Sequence, residues 1–207
     1  LMGVWAEENT RDALFDAMKR RETFATSGTR IVPRFVAGAA LPDDYCERDD
    51  VAEGVHRMGA ELSASSLDGP PRFGVSALRD PGTPGKPGTL LQRIQIVKGW
   101  VDDEGLFHQE VHDVAGHEPG QADVDRETCE VSGPGSARLC AVWSDPAHDP
   151  SRSAIYYARI LENPTCRWSG FQCAALPAAE RPEECQAPHI PWKHQERAWT
   201  SAIWLRP

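Results

Sequence analysis

His108, Glu110 and His112 are the residues of this 207-residue chain whose types and spacing come nearest to a reactive site. They alternate in the run LFHQEVHDV, and alternation along a strand places every second side chain on one face. Two imidazoles and one carboxylate form a metal-ligand set. The competing interpretation is a solvated strand face whose opposite side carries Phe107 and Val111. We favour it, because the neighbouring sequence offers no further ligand.

Acidic residues elsewhere have simpler explanations than catalysis. The segment SDPAHDP contains Asp145, His148 and Asp149, and carboxylates in a turn can hold calcium. We favour an ordinary turn, because Asp before Pro commonly forms one. Glu7 and Glu8 precede the first expected helix and are candidate general bases, but negative charge at a helix start is stabilising without any chemistry.

Six cysteines set the expected covalent framework. None lies two to four residues from another, as paired zinc ligands usually do. The segment SGPGS contains no Lys and leads into an apolar run, which disfavours a phosphate cradle. Free thiols in a cytosolic protein are the alternative to disulfides. We favour disulfides, because the count is even and the cysteines cluster in irregular stretches, and this places the chain in the periplasm or outside the cell.

Two of the expected disulfide pairs come from cysteines that flank the same loop or short segment, and the third comes by elimination. Two cysteines flank the turn-rich loop between residues 129 and 140, and two more flank the segment RWSGFQ. The expected pairs are therefore Cys129–Cys140, then Cys166–Cys173, and by elimination Cys46–Cys185.

Aromatic residues concentrate in the last quarter of the chain. They are a candidate stacking platform for sugars, although core packing under long loops is the commoner use of such residues. The set comprises Trp168, Phe171, Trp192, Trp199 and Trp204.

The hydrophobic pattern predicts a mainly β fold with α+β character. One helix is expected over residues 9–21, with Asn9 or Thr10 as its N-cap. Leu14, Ala17, Met18 and Arg21 share one face, which is apolar except at its end. Irregular stretches are expected at about 38–70 and about 162–198. Short strands separated by turn residues favour an antiparallel β-sandwich-like domain. The expected strands are TFATSG, RIVPRFVAG, RFGVSAL, LLQRIQIVKGW, LFHQEVHDV, ARLCAVW, AIYYARIL and WTSAIWL.

Alternation within two of these runs predicts which residues share a face. Ile94 and Ile96 lie on one face of their strand, and Tyr156, Ala158 and Ile160 lie on one face of another. With 40% hydrophobic residues, the chain can build a sizeable core from such faces.

Composition narrows the possible partners. A net charge of -9 gives a surface that repels a phosphate backbone, so we expect no nucleic-acid partner. No apolar run approaches the roughly 20 residues of a membrane-spanning helix. The opening LMGVWAEENT does not read like a natural start, and we expect a fragment or a processed product.

Several segments together resemble one bacterial family: GVWAEENTRDALFDAMKRRETFATSGTRI, SALRDPGTPGKPGTLLQRIQIVKGW, LCAVWSDP, YYARILENPTCRWS and QERAWTSAIWL. They are similar to the C-terminal part of the domain of unknown function 3604 family. That family resembles the PHP (polymerase and histidinol phosphatase) metal-dependent hydrolases. The resemblance implies two parts: residues 1–30 as the last helix and strand of a PHP-like barrel, and residues 31–207 as a C-terminal β-rich domain.

The same resemblance implies where the metal lies. PHP-like proteins bind metal mainly through a His-x-His and a later Asp-x-His motif, and neither occurs in this chain. We therefore expect no cofactor here, and a divalent metal in an N-terminal barrel supplied by another segment. That segment is the expected partner, and the substrate is an undefined small molecule.

Two functional hypotheses follow. The favoured one is a structural or cleft-forming portion of a phosphoesterase-like hydrolase, inactive alone although its parent protein is an enzyme. The alternative is a β-sandwich binding module for a carbohydrate or a protein partner, using the aromatic residues after Cys166.

Overall fold

The computed structural model describes residues 1–48, 53–67 and 69–207 and shows a mainly β protein with antiparallel sheets. Strands make up 40% of the chain and helices 13%, four three-residue 3-10 helices included, and no described sheet closes into a barrel, which confirms the expected fold class. The described residues form helices α1 (Arg11–Lys19) and α2 (Trp168–Ala174). Their strands are β1 (Met2–Val4), β2 (Thr23–Thr26), β3 (Val32–Ala37), β4 (His56–Arg57), β5 (Glu61–Ser63), β6 (Arg72–Leu78), β7 (Leu91–Val101), β8 (Phe107–Gly116), β9 (Asp123–Val124), β10 (Val131–Ser132), β11 (Arg138–Ser144), β12 (Ala154–Glu162), β13 (Thr165–Cys166), β14 (Lys193–His194), β15 (Arg197–Thr200) and β16 (Ile203–Arg206).

Eight of the described strands form the larger sheet, with β12 at its centre. β12 pairs with β7 along one edge, and β7 pairs in turn with β8. Along its other edge β12 pairs with β15 and β16. β15 continues the sheet to β2 and β1, whereas β16 pairs in parallel with β5. The N-terminal β1–α1–β2 unit is therefore hydrogen-bonded to the C-terminal part of the chain.

The run WTSAIWL, expected as one strand, is two strands separated by a bulge. Arg159 lies opposite Trp199 in β15, whereas Ile155 lies opposite Trp204 in β16. From Trp199 to Trp204 the chain advances five residues, whereas the facing segment of β12 advances four, so one residue is inserted between β15 and β16. An inserted residue of this kind bends a strand without ending its sheet.

A second sheet of four described strands, in the order β11-β6-β3-β4, packs on the larger one. Phe35 and Phe73 stack at 5.6 Å within it, and the Phe73 ring lies 4.5 Å from that of Tyr156 in the larger sheet. These rings form the middle of a core enclosed between the two sheets. Burial of this kind of apolar area is the main stabilising contribution in a sandwich.

The predicted faces of β7 and β12 are confirmed, and they meet. Ile94 lies opposite Ile160, and Ile96 lies opposite Ala158. All four, together with Tyr156, have no exposed surface. The period-2 pattern therefore identified the core-facing side of both strands.

Helix α1 begins as the sequence predicts. Thr10 is its N-cap and accepts a hydrogen bond from the Ala13 backbone N–H at 3.4 Å. Of the predicted face, however, Ala17 alone is buried, while Met18 is 43% exposed and its neighbour Phe15 is 57% exposed. Neither described helix is long and apolar enough to span a bilayer.

Helix α2 lies inside the stretch at about 162–198, which the sequence predicts to be irregular. It has no side-chain N-cap, so the usual start signal is absent. Gly170 lets the helix pack closely, because a Cβ there would lie 2.6 Å from the Trp192 backbone carbonyl. Tertiary contacts and disulfides, rather than local sequence signals, hold this helix.

All six cysteines form disulfides, as predicted, but the predicted pairing is wrong. Cys129–Cys140, Cys166–Cys173 and Cys46–Cys185 are not formed. The observed bridges are Cys46–Cys140, Cys129–Cys166 and Cys173–Cys185.

The reason for the different pairing is where each cysteine lies in the fold. Cys129 lies in the turn that joins β9 to β10, whereas Cys140 lies in β11 of the second sheet. Cys166 lies in β13, before α2 begins, whereas Cys173 lies in the last turn of α2, so most of the helix separates them. Each cysteine instead bonds to one that a different segment brings within 6 Å, with Cα–Cα distances of 5.6 to 5.8 Å.

Candidate functional site

Strand β8 places His108, Glu110 and His112 on one face, as the alternation predicts. The expected orientation is wrong, however. Phe107 and Val111 are 65% and 41% exposed, whereas the three polar side chains form the half-buried face. Alternation shows which residues share a face, but it does not show which face is covered.

The three polar side chains do not converge on one point. His108 Nε2 lies 2.5 Å from Asp102 Oδ2, and its ring stacks on that of Trp100 at 5.2 Å. His112 packs on Trp143 at 4.8 Å, and its Nε2 lies 3.5 Å from a carboxylate oxygen of Glu110. Within the described residues no three His, Cys, Asp or Glu side chains are arranged to hold a metal ion.

Beside this row lies a buried ion pair. Lys98 on β7 lies opposite both Glu110 and Tyr156 in the sheet. Its Nζ lies 2.6 Å from Asp145 Oδ2 and donates to the Ala147 carbonyl at 2.8 Å. The Tyr156 hydroxyl donates to the same Asp145 oxygen at 2.6 Å, and Asp145 has no exposed surface. We call Lys98, Glu110, His112, Asp145 and Tyr156 the inner polar cluster.

The charges in the inner polar cluster are fixed by burial and hydrogen bonds. Burial acts to raise the pKa of Asp145, but hydrogen bonds from Lys98, Tyr156 and the Ala147 N–H outweigh it and lower the pKa. Burial and the Asp145 carboxylate raise the pKa of Tyr156, so its hydroxyl stays protonated. Burial also lowers the pKa of the neighbouring His148. The result is a satisfied ion pair with no free nucleophile, which holds the following turn against the sheet.

That turn is the segment SDPAHDP, and the turn interpretation is confirmed. Asp145 Oδ1 accepts the Ala147 N–H at 2.9 Å, and Asp149 Oδ1 accepts the Ser151 N–H at 2.9 Å. Both carboxylates thus close their own turns. Glu8 likewise accepts a hydrogen bond from the Thr10 hydroxyl at 2.9 Å at the start of α1, and Glu7 is exposed.

A cleft of about 560 Å³ lies where α2 meets β14 and β15. We call it the Trp168 cleft, after the exposed tryptophan in its lining. Trp168 is 69% exposed at its edge, and Trp199 is half-buried in its lining. The lining residues are Ser27, Arg167, Trp168, Pro191, Lys193, His194, Gln195, Glu196, Arg197 and Trp199.

Charged side chains of both signs line the Trp168 cleft. Lys193 Nζ lies 2.6 Å from Asp123 Oδ1, and His194 Nε2 lies 3.0 Å from Glu196 Oε1. Arg167 and Arg197 hydrogen-bond backbone carbonyls, and within the described residues neither has a carboxylate partner. The cleft therefore presents two guanidinium groups whose charge is not neutralised.

The five aromatic residues expected to form a platform are dispersed. Trp168 and Trp199 line the cleft, whereas Phe171 lies outside its lining, 52% exposed. Trp192 packs beside the Cys129–Cys166 disulfide, with the Arg126 guanidinium 5.5 Å from its ring. Trp204 lies in β16, with the Arg21 guanidinium at 4.9 Å.

The sequence did not predict the burial of two further charged residues, Lys98 and Glu162. Lys98 interrupts an otherwise apolar run in β7, which was a usable signal. Glu162, at the end of β12, is 1% exposed, and no described donor completes a hydrogen bond to either carboxylate oxygen. Burial raises the pKa of Glu162 to about 7, and the nearby Thr29 hydroxyl offsets only part of that rise.

These features define a disulfide-stapled, β-sandwich-like domain with a buried lysine–aspartate pair and an open aromatic cleft. The whole chain, residues 1–207, matches the family described as "Protein of unknown function (DUF3604)", and it belongs to that family. Neither the curated proteins nor the solved structures include a match to it.

Proposed function

We propose that this chain is the C-terminal, β-rich portion of a PHP-like metal-dependent hydrolase, and that it shapes the substrate cleft without supplying catalytic groups. The segments that resemble the PHP-like barrel end support this proposal. In it, residues 1–30 complete a barrel, and residues 31–207 form the supporting domain. A divalent metal held by the N-terminal barrel would supply the Lewis acid.

The observation that carries the proposal is the uncovered helix α1. It has nine residues, and helices this short are not stable alone in water. It nevertheless exposes Phe15 and Met18, and the adjacent edge strand β1 exposes Met2 by 68%. Exposed apolar side chains that lie close together mark a surface for a partner. A preceding barrel segment would cover this surface.

Co-expression with the upstream segment of the same protein tests this proposal. Phe15→Asp and Met18→Asp place a charge in the contact, and we expect co-purification to weaken at least about tenfold. Phe171→Asp is the matched control, because Phe171 is similarly exposed but lies on α2. Circular dichroism establishes that the variants fold.

The assembled protein is then assayed for bound metal and for hydrolysis of bis(p-nitrophenyl) phosphate. We expect metal-dependent hydrolysis that the two α1 variants reduce and the Phe171 variant leaves unchanged. Equal co-purification of parent and α1 variants would contradict the proposed contact, and an assembly without hydrolysis would contradict the proposed enzyme class.

A second candidate function is a carbohydrate-binding module. The exposed Trp168 at the edge of a cleft favours it, because an indole face is an apolar surface that also tolerates wet surroundings. Titration of the isolated chain with a panel of oligosaccharides tests it. Binding that Trp168→Ala removes would support this candidate, and no saccharide binding would reject it.

The three disulfides are compatible with an oxidising compartment. We propose a periplasmic or secreted location on this basis. Reaction of the unreduced protein with a thiol reagent after extraction from its native source tests it, and free thiols at the six cysteines would count against it.

A further inference from the structure

We propose that the Trp168 cleft binds an acidic oligosaccharide, with Arg167 and Arg197 pairing with its carboxylate or sulfate groups and Trp168 covering a sugar ring. This inference rests on the second candidate function and names its ligand class. Its lining residues are not those of the proposed barrel contact, Met2, Phe15 and Met18, so separate variants test the two proposals.

The first argument is the unused charge of the two arginines. Arg167 donates to the Pro191 carbonyl at 3.5 Å, and Arg197 donates to the Gln195 carbonyl at 3.3 Å. Both bonds are long and leave most guanidinium N–H groups available. A guanidinium can bind a carboxylate or a sulfate through two parallel hydrogen bonds. In a chain of net charge -9, two cations left unpaired in one cleft favour an anionic ligand there.

The second argument is the rigid presentation of Trp168. The tryptophan opens α2, whose position is fixed by Gly170 against Trp192 and by the Cys173–Cys185 disulfide. The disulfide at Cys166 holds the residues just before the helix. A residue whose backbone is held in place before binding loses little backbone freedom when a ligand arrives. Its exposed face is suited to the C–H surface of a pyranose ring.

The third argument separates a saccharide from a nucleic acid. Glu196 places its carboxylate oxygens in the lining of the cleft, where one lies 3.0 Å from His194 Nε2. These oxygens can accept hydrogen bonds from sugar hydroxyls, but they repel a continuous run of phosphates. The volume of about 560 Å³ falls in the range of about 300 to 1,000 Å³ found for ligand sites.

Isothermal titration calorimetry on the intact chain tests the inference. The four ligands are oligogalacturonate, a sulfated heparin-derived oligosaccharide, a neutral cello-oligosaccharide and oligo(dT). We expect an acidic saccharide to bind at least about tenfold more tightly than the neutral one, and more weakly as salt rises. The first two ligands distinguish a carboxylate from a sulfate as the recognised group.

Variants locate the binding. We expect Arg167→Gln and Arg197→Gln each to weaken acidic-saccharide binding by about tenfold and to reduce its salt dependence. Trp168→Ala should weaken acidic and neutral ligands alike. Arg138→Gln is the matched control, because Arg138 is exposed and donates to a backbone carbonyl away from the cleft. Thermal denaturation establishes that each variant is folded.

The outcomes are distinguishable. Neutral and acidic saccharides binding equally, with both arginine variants unchanged, would overturn the inference while leaving the binding module intact. Tighter binding of oligo(dT) than of any saccharide would overturn both the inference and the module's assignment to carbohydrate. Absence of binding to all four ligands would do the same. Loss of acidic-saccharide binding in the arginine variants, but not in Arg138→Gln, supports it.

Discussion

Two lysine–aspartate pairs in this protein have the same length and different surroundings. Lys98 lies 2.6 Å from Asp145, with side chains 7% and 0% exposed. Lys193 lies 2.6 Å from Asp123, with side chains 42% and 61% exposed. Water screens the second pair, whereas the first has exchanged its hydration for fixed hydrogen bonds. Burial, not distance, therefore decides what breaking each pair costs.

We predict that Lys98→Met lowers the free energy of unfolding by about 3 to 5 kcal/mol, because it leaves the buried Asp145 carboxylate without its cation. Lys193→Met is the control at equal distance and should change the same quantity by less than about 1 kcal/mol. Urea denaturation of both variants measures the difference. Similar losses in the two variants would show that the inner polar cluster is not buried as described.

At the residue scale, the sequence predicts which side chains share a face better than it predicts how deeply those side chains are buried. The shared face of His108, Glu110 and His112 follows from alternation alone. Their half-buried orientation depends on Trp100 and Trp143, which other strands bring alongside them. Both carboxylate oxygens of Glu162 are buried without a hydrogen-bond partner among the described residues. This too depends on tertiary packing, which the local sequence does not show.

At the element scale, the disulfides act on segments that local sequence does not stabilise. Cys46–Cys140 joins a short turn to β11 and closes 94 residues of sequence separation. Cys173–Cys185 closes a separation of 12 and ties α2 to the loop that follows it. In the chain-entropy model a longer closed loop restricts the unfolded chain more.

We predict that replacing Cys46 and Cys140 by Ala lowers the free energy of unfolding by about 4 to 5 kcal/mol, and replacing Cys173 and Cys185 by about 3 kcal/mol. The second change should also speed hydrogen exchange across α2, whereas the first should not. Denaturant titration and exchange mass spectrometry measure the two effects. Peptide mapping without reduction checks the pairing, and a peptide linking Cys129 to Cys140 would refute it.

Elements were predictable where periodicity is local. Strands β6, β7 and β12 follow from alternating or continuous apolar runs, and α1 follows from its Thr10 cap. Helix α2 was not predictable, because its N-cap position has no capping side chain and its start lies beside a disulfide. Disulfide partners were not predictable, because the packing of the two sheets brings together cysteines that lie far apart in the sequence.

At the scale of the whole molecule, Glu162 lies near the link between the two sheets. The chain passes from β2 in the larger sheet to β3 in the smaller one through Thr29, whose hydroxyl lies near the Glu162 carboxyl. Burial raises the pKa of Glu162 to about 7, with a further contribution from the negative charges of Glu196 and Asp80. Ionisation at this position therefore opposes folding of the entire sandwich.

Whether stability rises or falls with pH depends on when Glu162 loses its proton in the folded and in the unfolded chain. Below a pH of about 4.5 Glu162 is protonated in both the folded and the unfolded chain, so it adds no penalty. Between about 4.5 and 7 the unfolded chain loses the proton that the folded chain keeps, and stability falls as pH rises. Above the folded pKa the full penalty is present, roughly 3 kcal/mol.

We therefore predict that Glu162→Gln changes the free energy of unfolding little at pH 4 and raises it by roughly 3 kcal/mol at pH 8, because the amide carries no charge to bury. Urea denaturation of parent and variant at each pH gives the difference, which cancels other titrating groups. Glu180→Gln, an exposed position, controls for the change in net charge and should show no such trend. A difference for Glu162→Gln that stays constant from pH 4 to 8 would mean that the carboxyl is solvated in the folded protein.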